Sequence, residues 1–256
     1  MGGRLTVIEM SHRKHQLLEA VVDSPAAANI LRRKFGGRVE KLPGDWLSRF
    51  LREKTSEPLA IGKRLIVLRS IKQKKKTFPH RLIIPAGAAF GTGEHVTTSM
   101  SLRLLEMLTR GWKPGWKIVD LGTGSGILAL AANRFGAGRA VGIDVDPTAI
   151  ATARENTRLN KVNDVSFQVA DVCHWKLASK VDVVTANLFS ELLITILPKL
   201  KQSRYLILSG ILQNQAKQIE RALHQNRILL VTVRRRGKWI TILAGGKAKA
   251  LAVRGV

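Results

Sequence analysis

The run K-I-V-D-L-G-T-G-S-G at residues 117–126 constrains this chain more than any other stretch. An apolar segment follows, I-L-A-L-A-A at 127–132, and then A-V-G-I-D at 140–144. In order these read as strand, glycine-rich turn, helix, strand and acid. Ile118, Val119 and Leu121 suit a parallel strand covered on both faces. Residues 127–132 are apolar and rich in helix formers, so the turn feeds a packed helix. Asp144 lies ~20 residues beyond the turn at a strand tip, where a carboxylate can accept from ribose hydroxyls. A nucleotide-like ligand therefore has a place, with its polar tail on the backbone of the turn at Gly122 and Gly124.

Dinucleotide-binding turns follow G-x-G-x-x-G, whose third glycine packs helix on strand beside a pyrophosphate. Here the glycines are Gly122, Gly124 and Gly126, and Ile127 stands where that third glycine would fall. A G-x-G-x-G turn resembles the first motif of class I methyltransferases that use S-adenosylmethionine. That ligand carries an amino-acid tail in place of the pyrophosphate.

A chain of 256 residues, 45% of them apolar, can bury one large core, or one ordinary domain plus a small one. Apolar runs such as 127–132 are too short to span a bilayer. The single cysteine, Cys173, excludes an internal disulfide and points to a reducing cytoplasm. The net charge of +25 is unevenly spread. Residues 1–84 hold 19 basic against 7 acidic side chains, 85–198 hold 11 against 10, and 199–256 hold 13 against 1. The motif-bearing centre is nearly neutral and both flanks are basic. Such a field attracts polyanions, RNA first among them, although general basicity or solubility gives the same composition.

The chain before the turn reads as a strand at 3–9, a helix at 12–22 through Leu17, Leu18 and Val21, and a second helix at 26–35 opened by Ser24-Pro25. Gly36-Gly37 closes that helix, and a strand at 38–42 and a short helix at 45–51 follow. Residues 59–68 alternate into one strand. Lys72, Lys74, Lys75 and Lys76 repel one another and mark a linker, or else a loop that contacts phosphate. This division gives a small α+β domain at 1–70, a basic linker at 71–84 and the main domain at 85–256. The loop at 85–98 carries three glycines, three threonines, Phe90 and His95. Its N–H groups and hydroxyls, Thr98 among them, can face a polar ligand, and Phe90 can stack on a flat base. An amphipathic helix at 99–108 follows.

After the turn, Asp146 is a good helix N-cap and Pro147 a good first helical residue, which leaves Asp144 to the ribose. A helix at 147–159 and a strand at 165–169 lead to Asp171, either a partner for an adenine amino group or a loop acid. Cys173-His174 lacks the further ligands a metal needs. A strand at 181–186 ends at Asn187, where amino-group methyltransferases place a polar amide beside the transferred methyl. A helix at 191–200, a strand at 205–208, a helix at 213–224 and strands at 228–233 and 238–243 complete the sheet. Arg234, Arg235 and Arg236 fall in the final hairpin.

F-G-T-G-x-H-x-T-T at 90–98, followed by D-x-G-x-G-S-G-I-L-A at 120–129, resembles the ribosomal protein L11 methyltransferase family. Asp45-Trp46, P-L-x-I-G-K-R-L at 58–65, A-N-L at 186–188 and S-G-I-L-x-x-Q at 209–215 are similar to further segments of that family. The likeness covers about four fifths of the chain, least in the first 40 residues. It implies a Rossmann-like class I methyltransferase sheet with a small N-terminal α+β domain. It also implies S-adenosylmethionine as cofactor and methylation of lysine side chains, with an N-terminal amine as a further acceptor, on a cytoplasmic protein substrate resembling ribosomal protein L11. The site expected from this reading is Phe90, Thr98, Gly122, Gly124, Asp144, Asp171 and Asn187, with Asn187 in the catalytic role. Methyl transfer to an amine needs alignment and a neutral amine more than acid–base groups. Two other readings remain: an RNA base methyltransferase, against which N-L-F at 187–189 lacks the N-P-P-aromatic pattern, and a non-catalytic ribosome- or RNA-binding module.

Overall fold

A strand with apolar side chains on both faces needs a layer of helices on each side. The computed structural model, which describes residues 4–8, 17–21, 25–36, 57–73, 78–85, 95–177 and 181–245, supplies them. The chain divides into two units, Met1–Arg52 and Glu53–Val256. In the first, β1 (Arg4–Ile8) pairs antiparallel with β2 (Leu17–Val21), and α1 (Pro25–Phe35) follows. Gly36 at φ +73° ends α1, its N–H donating to the Arg32 carbonyl at 2.9 Å. Of the helix expected at 12–22, residues 17–21 form β2 instead, and the others lie outside the described residues. Over a few residues, Leu17, Leu18 and Val21 suit either period, and the ladder to β1 decides for a strand. The elements expected at 38–42 and 45–51 lie outside the described residues.

The second unit opens with a small sheet of β3 (Leu59–Ile61), β4 (Leu65–Leu68) and β5 (His80–Ile83). The single strand expected at 59–68 is a hairpin, because Gly62 at φ +54° reverses the chain. A Cβ there would also lie 2.6 Å from the Glu106 carboxyl carbon. The stretch 71–84, expected to be a linker, carries β5, which pairs parallel with β4 from Leu65↔His80 to Leu68↔Ile83.

The main sheet is built from β6 (Trp116–Leu121), β7 (Ala137–Asp144), β8 (Val165–Val169), β9 (Val183–Asn187), β10 (Tyr205–Leu212), β11 (Leu229–Arg236) and β12 (Trp239–Gly245). Its helices are α2 (Val96–Leu108), α3 (Ile127–Arg134), α4 (Pro147–Leu159), α5 (Ser190–Leu200) and α6 (Ala216–Gln225). The expected helix at 213–224 starts as a 3-10 turn, Gln213–Gln215, before α6. Strand order is β11-β12-β10-β9-β6-β7-β8, parallel except for β12, which runs antiparallel to both neighbours. Side chains alternate between two apolar layers. Ile118, Val183, Ile207 and Leu243 pack with α2, α3 and α4. Val119, Val184, Leu206, Leu208 and Ile242 pack with α5 and α6.

The Asn160 side chain ties the edge of the small sheet to a helix of the large one. Asn160, at the C-cap of α4, accepts from the Ile83 N–H and donates to the Ile83 carbonyl, both at 2.7 Å. Its amide thus completes the exposed ladder of β5 as another strand would. Asn160→Ala is expected to lower the unfolding free energy by about 2–3 kcal/mol, since two backbone groups lose their partner. Urea denaturation measures this, and a loss within ~0.5 kcal/mol of zero would contradict it.

Candidate functional site

Strand order reverses between β6 and β9: β7 and β8 extend one way and β10 the other. Ligands of open α/β sheets bind beyond the carboxyl ends of the strands at such a point. The glycine turn lies there. Gly122, Gly124 and Gly126 have φ of +69°, +53° and +80°, a region that favours glycine. A Cβ on Gly122 would lie 2.4 Å from Leu188 Cδ2. The N–H groups of Gly122 and Thr123 both donate to the Ile143 carbonyl, at 2.8 and 2.9 Å, fastening the turn to β7.

Asp144 sits at the tip of β7. One carboxylate oxygen accepts from the Gly124 N–H at 2.9 Å and the other from the Asp146 N–H at 3.1 Å. Each oxygen has a second lone pair for a ribose hydroxyl. Asp146 accepts from the Thr148 N–H at 2.8 Å, so its expected role as the helix cap is borne out. Val145 between them is 70% exposed, and Val169, the last residue of β8, is also exposed. Both are apolar surfaces at the same sheet edge, unmarked in the sequence because single valines carry no motif.

Asn187 ends β9. Its Nδ2 donates to Thr98 Oγ1 at 3.4 Å, bringing together two expected site residues 89 positions apart. Thr98 stands in the first turn of α2, capped by His95, whose Nδ1 accepts from the Thr97 hydroxyl at 2.7 Å and the Thr97 N–H at 3.4 Å. Burial and the nearby Lys238 charge hold His95 below the ordinary histidine pKa, consistent with this acceptor role. Its ring meets Trp239 edge-on at 5.2 Å. Leu188 donates from its N–H to the Ser209 carbonyl at 3.1 Å. Ser209 Oγ shares a hydrogen bond with Thr241 Oγ1 at 2.6 Å and donates to the Thr97 carbonyl at 3.4 Å. Ser209 entered the sequence reading only within the 209–215 segment, without a role, and Thr241 and Trp239 escaped it. For Ser209 and Thr241 the one residue-level signal is a hydroxyl inside an otherwise apolar strand.

Asp171, two residues beyond β8, folds back on its own turn. It accepts from the Cys173 N–H at 2.8 Å and pairs with His174 Nδ1 at 2.9 Å. The Cys173 N–H and His174 hold its carboxyl below the usual range. Phe90 lies outside the described residues. Among those residues, no three His, Cys, Asp or Glu side chains cluster as metal ligands.

Asp120 was not expected as a site residue, and it holds the turn. It is 1% exposed. One oxygen accepts from the Thr123 hydroxyl in the turn and the other from the Thr185 hydroxyl in β9, both at 2.6 Å. Burial pushes its pKa up to about 6, against the pull of the two hydroxyls and with a further push from the Asp144 charge.

A seven-stranded sheet in this order, antiparallel only at β12, with a glycine turn facing an acid across two strand tips, defines the class I methyltransferase fold. A structure of an S-adenosylmethionine-dependent methyltransferase from Clostridium acetobutylicum shares the fold, with a TM-score of 0.51 at 11% identity over 60% of this chain and 93% of that one. The profile described as "Ribosomal protein L11 methyltransferase (PrmA)" matches residues 7–247. The chain belongs to the ribosomal protein L11 methyltransferase family. Relatives of that name include proteins from Dictyoglomus thermophilum (34% identical, 78% of this chain and 65% of the relative) and Pelobacter propionicus (35% identical, 80% and 68%). The chain thus spans about two thirds of the length of these curated relatives. The structure of a ribosomal protein L11 methylase from Lactobacillus delbrueckii subsp. bulgaricus has a TM-score of 0.65 at 28% identity, covering 74% of this chain and 98% of that one.

The Asp120 carboxyl gives a signed pH dependence. Its pKa is about 6 folded against 3.8 for an ordinary aspartate, so the folded state binds the proton more tightly. Its contribution to stability is fully present below the lower value and is lost as pH rises through about 6, on the order of 2–3 kcal/mol. Asp120→Asn is expected to flatten the stability profile across that window. Denaturant melts at several pH values check this, and equal slopes in both proteins would contradict it.

Proposed function

We propose that this chain transfers methyl groups from S-adenosylmethionine to amino groups of ribosomal protein L11. The supporting observation is the meeting of the 122–126 turn, Asp144 and the Asn187–Thr98 pair at one switch point. When bound, the cofactor supplies a sulfonium methyl activated for displacement. The Gly122 and Gly124 backbone receives its amino-acid tail, and Asp144 accepts from its ribose. Val145 and Val169 would offer apolar cover to a purine, Asp171 would accept from its amino group, and Thr98 would contribute from beside Asn187; Phe90 keeps its expected stacking role from the sequence alone. Asn187 would align the substrate: its Nδ2 donates to Thr98, which leaves Oδ1 to accept from the acceptor amine and steady its lone pair toward the methyl. A free lysine is neutral in only ~0.1% or less of molecules at pH 7. A dry site that penalises the ammonium raises that fraction. Recognition of the protein substrate is assigned to the N-terminal α+β region, residues 1–70, and cofactor binding to residues 85–256. No described helix is long and apolar enough to cross a membrane.

A second reading draws on Phe189, 77% exposed beside Asn187, which could stack on an RNA base. Transfer of labelled methyl into ribosomal protein L11 and into ribosomal RNA, counted separately, distinguishes the two. Label in the protein supports the proposal, and label confined to RNA overturns it.

Asn187→Ala is expected to cut turnover ~100-fold or more through lost alignment, with cofactor affinity changed by less than ~5-fold. Asp144→Ala is expected to weaken cofactor binding ~10–100-fold, as loss of charge-assisted hydrogen bonds does. Calorimetric titration beside steady-state kinetics separates the two effects. Wild-type turnover in the Asn187 variant would remove its assigned role.

A further inference from the structure

β11 ends in Arg234, Arg235 and Arg236, and turns through Gly237 and Lys238 into β12, all five residues exposed. The two faces of this edge strand are both basic. Arg234 pairs with Thr241 across the ladder and reaches Met107 Sδ of α2 at 3.7 Å. Arg235 pairs with Ile240, whose side chain belongs to the layer under α5 and α6. On α6, which packs beside β11, Lys217 and Arg221 are exposed four residues apart and extend the charge.

The hairpin tip sits at a defined place. Trp239 pairs with Leu212 at the C-terminal end of β10, the same edge of the sheet that carries Gly122 and Asn187. The tip is also held there. The Gln213 N–H donates to the Lys238 carbonyl at 2.9 Å, Gln213 Nε2 donates to the Gly237 carbonyl, and Trp239 meets His95. Opposing charge is sparse. Glu220 is the one acid among residues 199–256, and Glu191 at the start of α5 accepts from Gln215. Planar guanidinium groups suit phosphate oxygens, and cations repeated along a rigid edge suit a polyanion of regular charge better than a single acidic side chain.

We infer that the β11–β12 hairpin, with the adjoining stripe of α6, is a docking surface for the phosphate backbone of RNA beside the mouth of the site. The choice of RNA rests on the proposed ribosomal substrate, whose natural surroundings are RNA. The surface itself stands on the charge, exposure and anchoring of the hairpin.

Fluorescence anisotropy of the full chain with a short labelled RNA, the matching DNA and labelled polyglutamate, over a series of KCl concentrations, tests this without reference to methyl transfer. Arg235→Gln/Arg236→Gln and Lys217→Gln/Arg221→Gln are each expected to weaken RNA binding ~10-fold and to flatten its salt dependence by about one to two counterions. Melting curves confirm that these exposed substitutions leave the fold intact. Undiminished RNA binding by both variants, absence of RNA binding by the wild type, polyglutamate binding as tight as RNA, or DNA binding ~10-fold tighter than RNA would each overturn the inference.

Discussion

The functional edge of this protein depends on a buried carboxylate held between two hydroxyls. Asp120 accepts from Thr123 in the glycine turn and from Thr185 in β9, each at 2.6 Å. Burying a carboxylate is costly unless its oxygens are satisfied, and hydrogen bonds to an ionised acceptor are the strong ones. β6 and β9 are adjacent strands from which the chain departs in opposite directions. Asp120 joins them where a ligand crevice opens, and so fixes the glycine turn beside it.

From that point, polar contacts run along one edge of the sheet while the interior stays apolar. Asn187 meets Thr98, Ser209 meets Thr241 and Thr97, and His95 meets Trp239. The strands β9, β10 and β12 thus hold the start of α2 in place, and α2 carries Thr98 to Asn187. Close packing at Gly122 and Gly210 completes the arrangement. A Cβ on Gly210 would lie 2.4 Å from the Leu188 carbonyl oxygen, so Leu188 is clasped between the two glycines. The residue after Asn187 is therefore fixed, while the Asn187 amide itself is held by Thr98.

Much of this was legible before the fold was known, because residues 117–146 combine two periods and two special turns in one stretch. The unbroken apolar run of β6, the glycine spacing and the Asp146-Pro147 cap each point to the same local structure. The parts that misled are those where a short pattern fits two conformations. Leu17, Leu18 and Val21 suit a helix until β1 supplies a ladder. Residues 59–68 look like one strand until Gly62 turns the chain. The 71–84 stretch looks like a linker because its lysines dominate its composition, yet its last residues pair with β4. Asp120, Ser209 and Thr241 were unreadable as a set, since Asp120 meets Thr185, and Ser209 meets Thr241 and Thr97, from far along the chain. Asp171 was proposed by position alone, and its local turn bonds to Cys173 and His174 are of a kind that sequence offset does not reveal.

Family membership narrows what the site can be, and the geometry narrows where it is. The central claim is that the cofactor binds at the switch point of the main sheet. Amide hydrogen exchange with and without S-adenosylhomocysteine tests it most directly. Added protection is expected at residues 121–127, 144–146 and 187–189, with α6 unchanged. Binding that protects some other face of the sheet, or no protection at a saturating concentration, would contradict the claim.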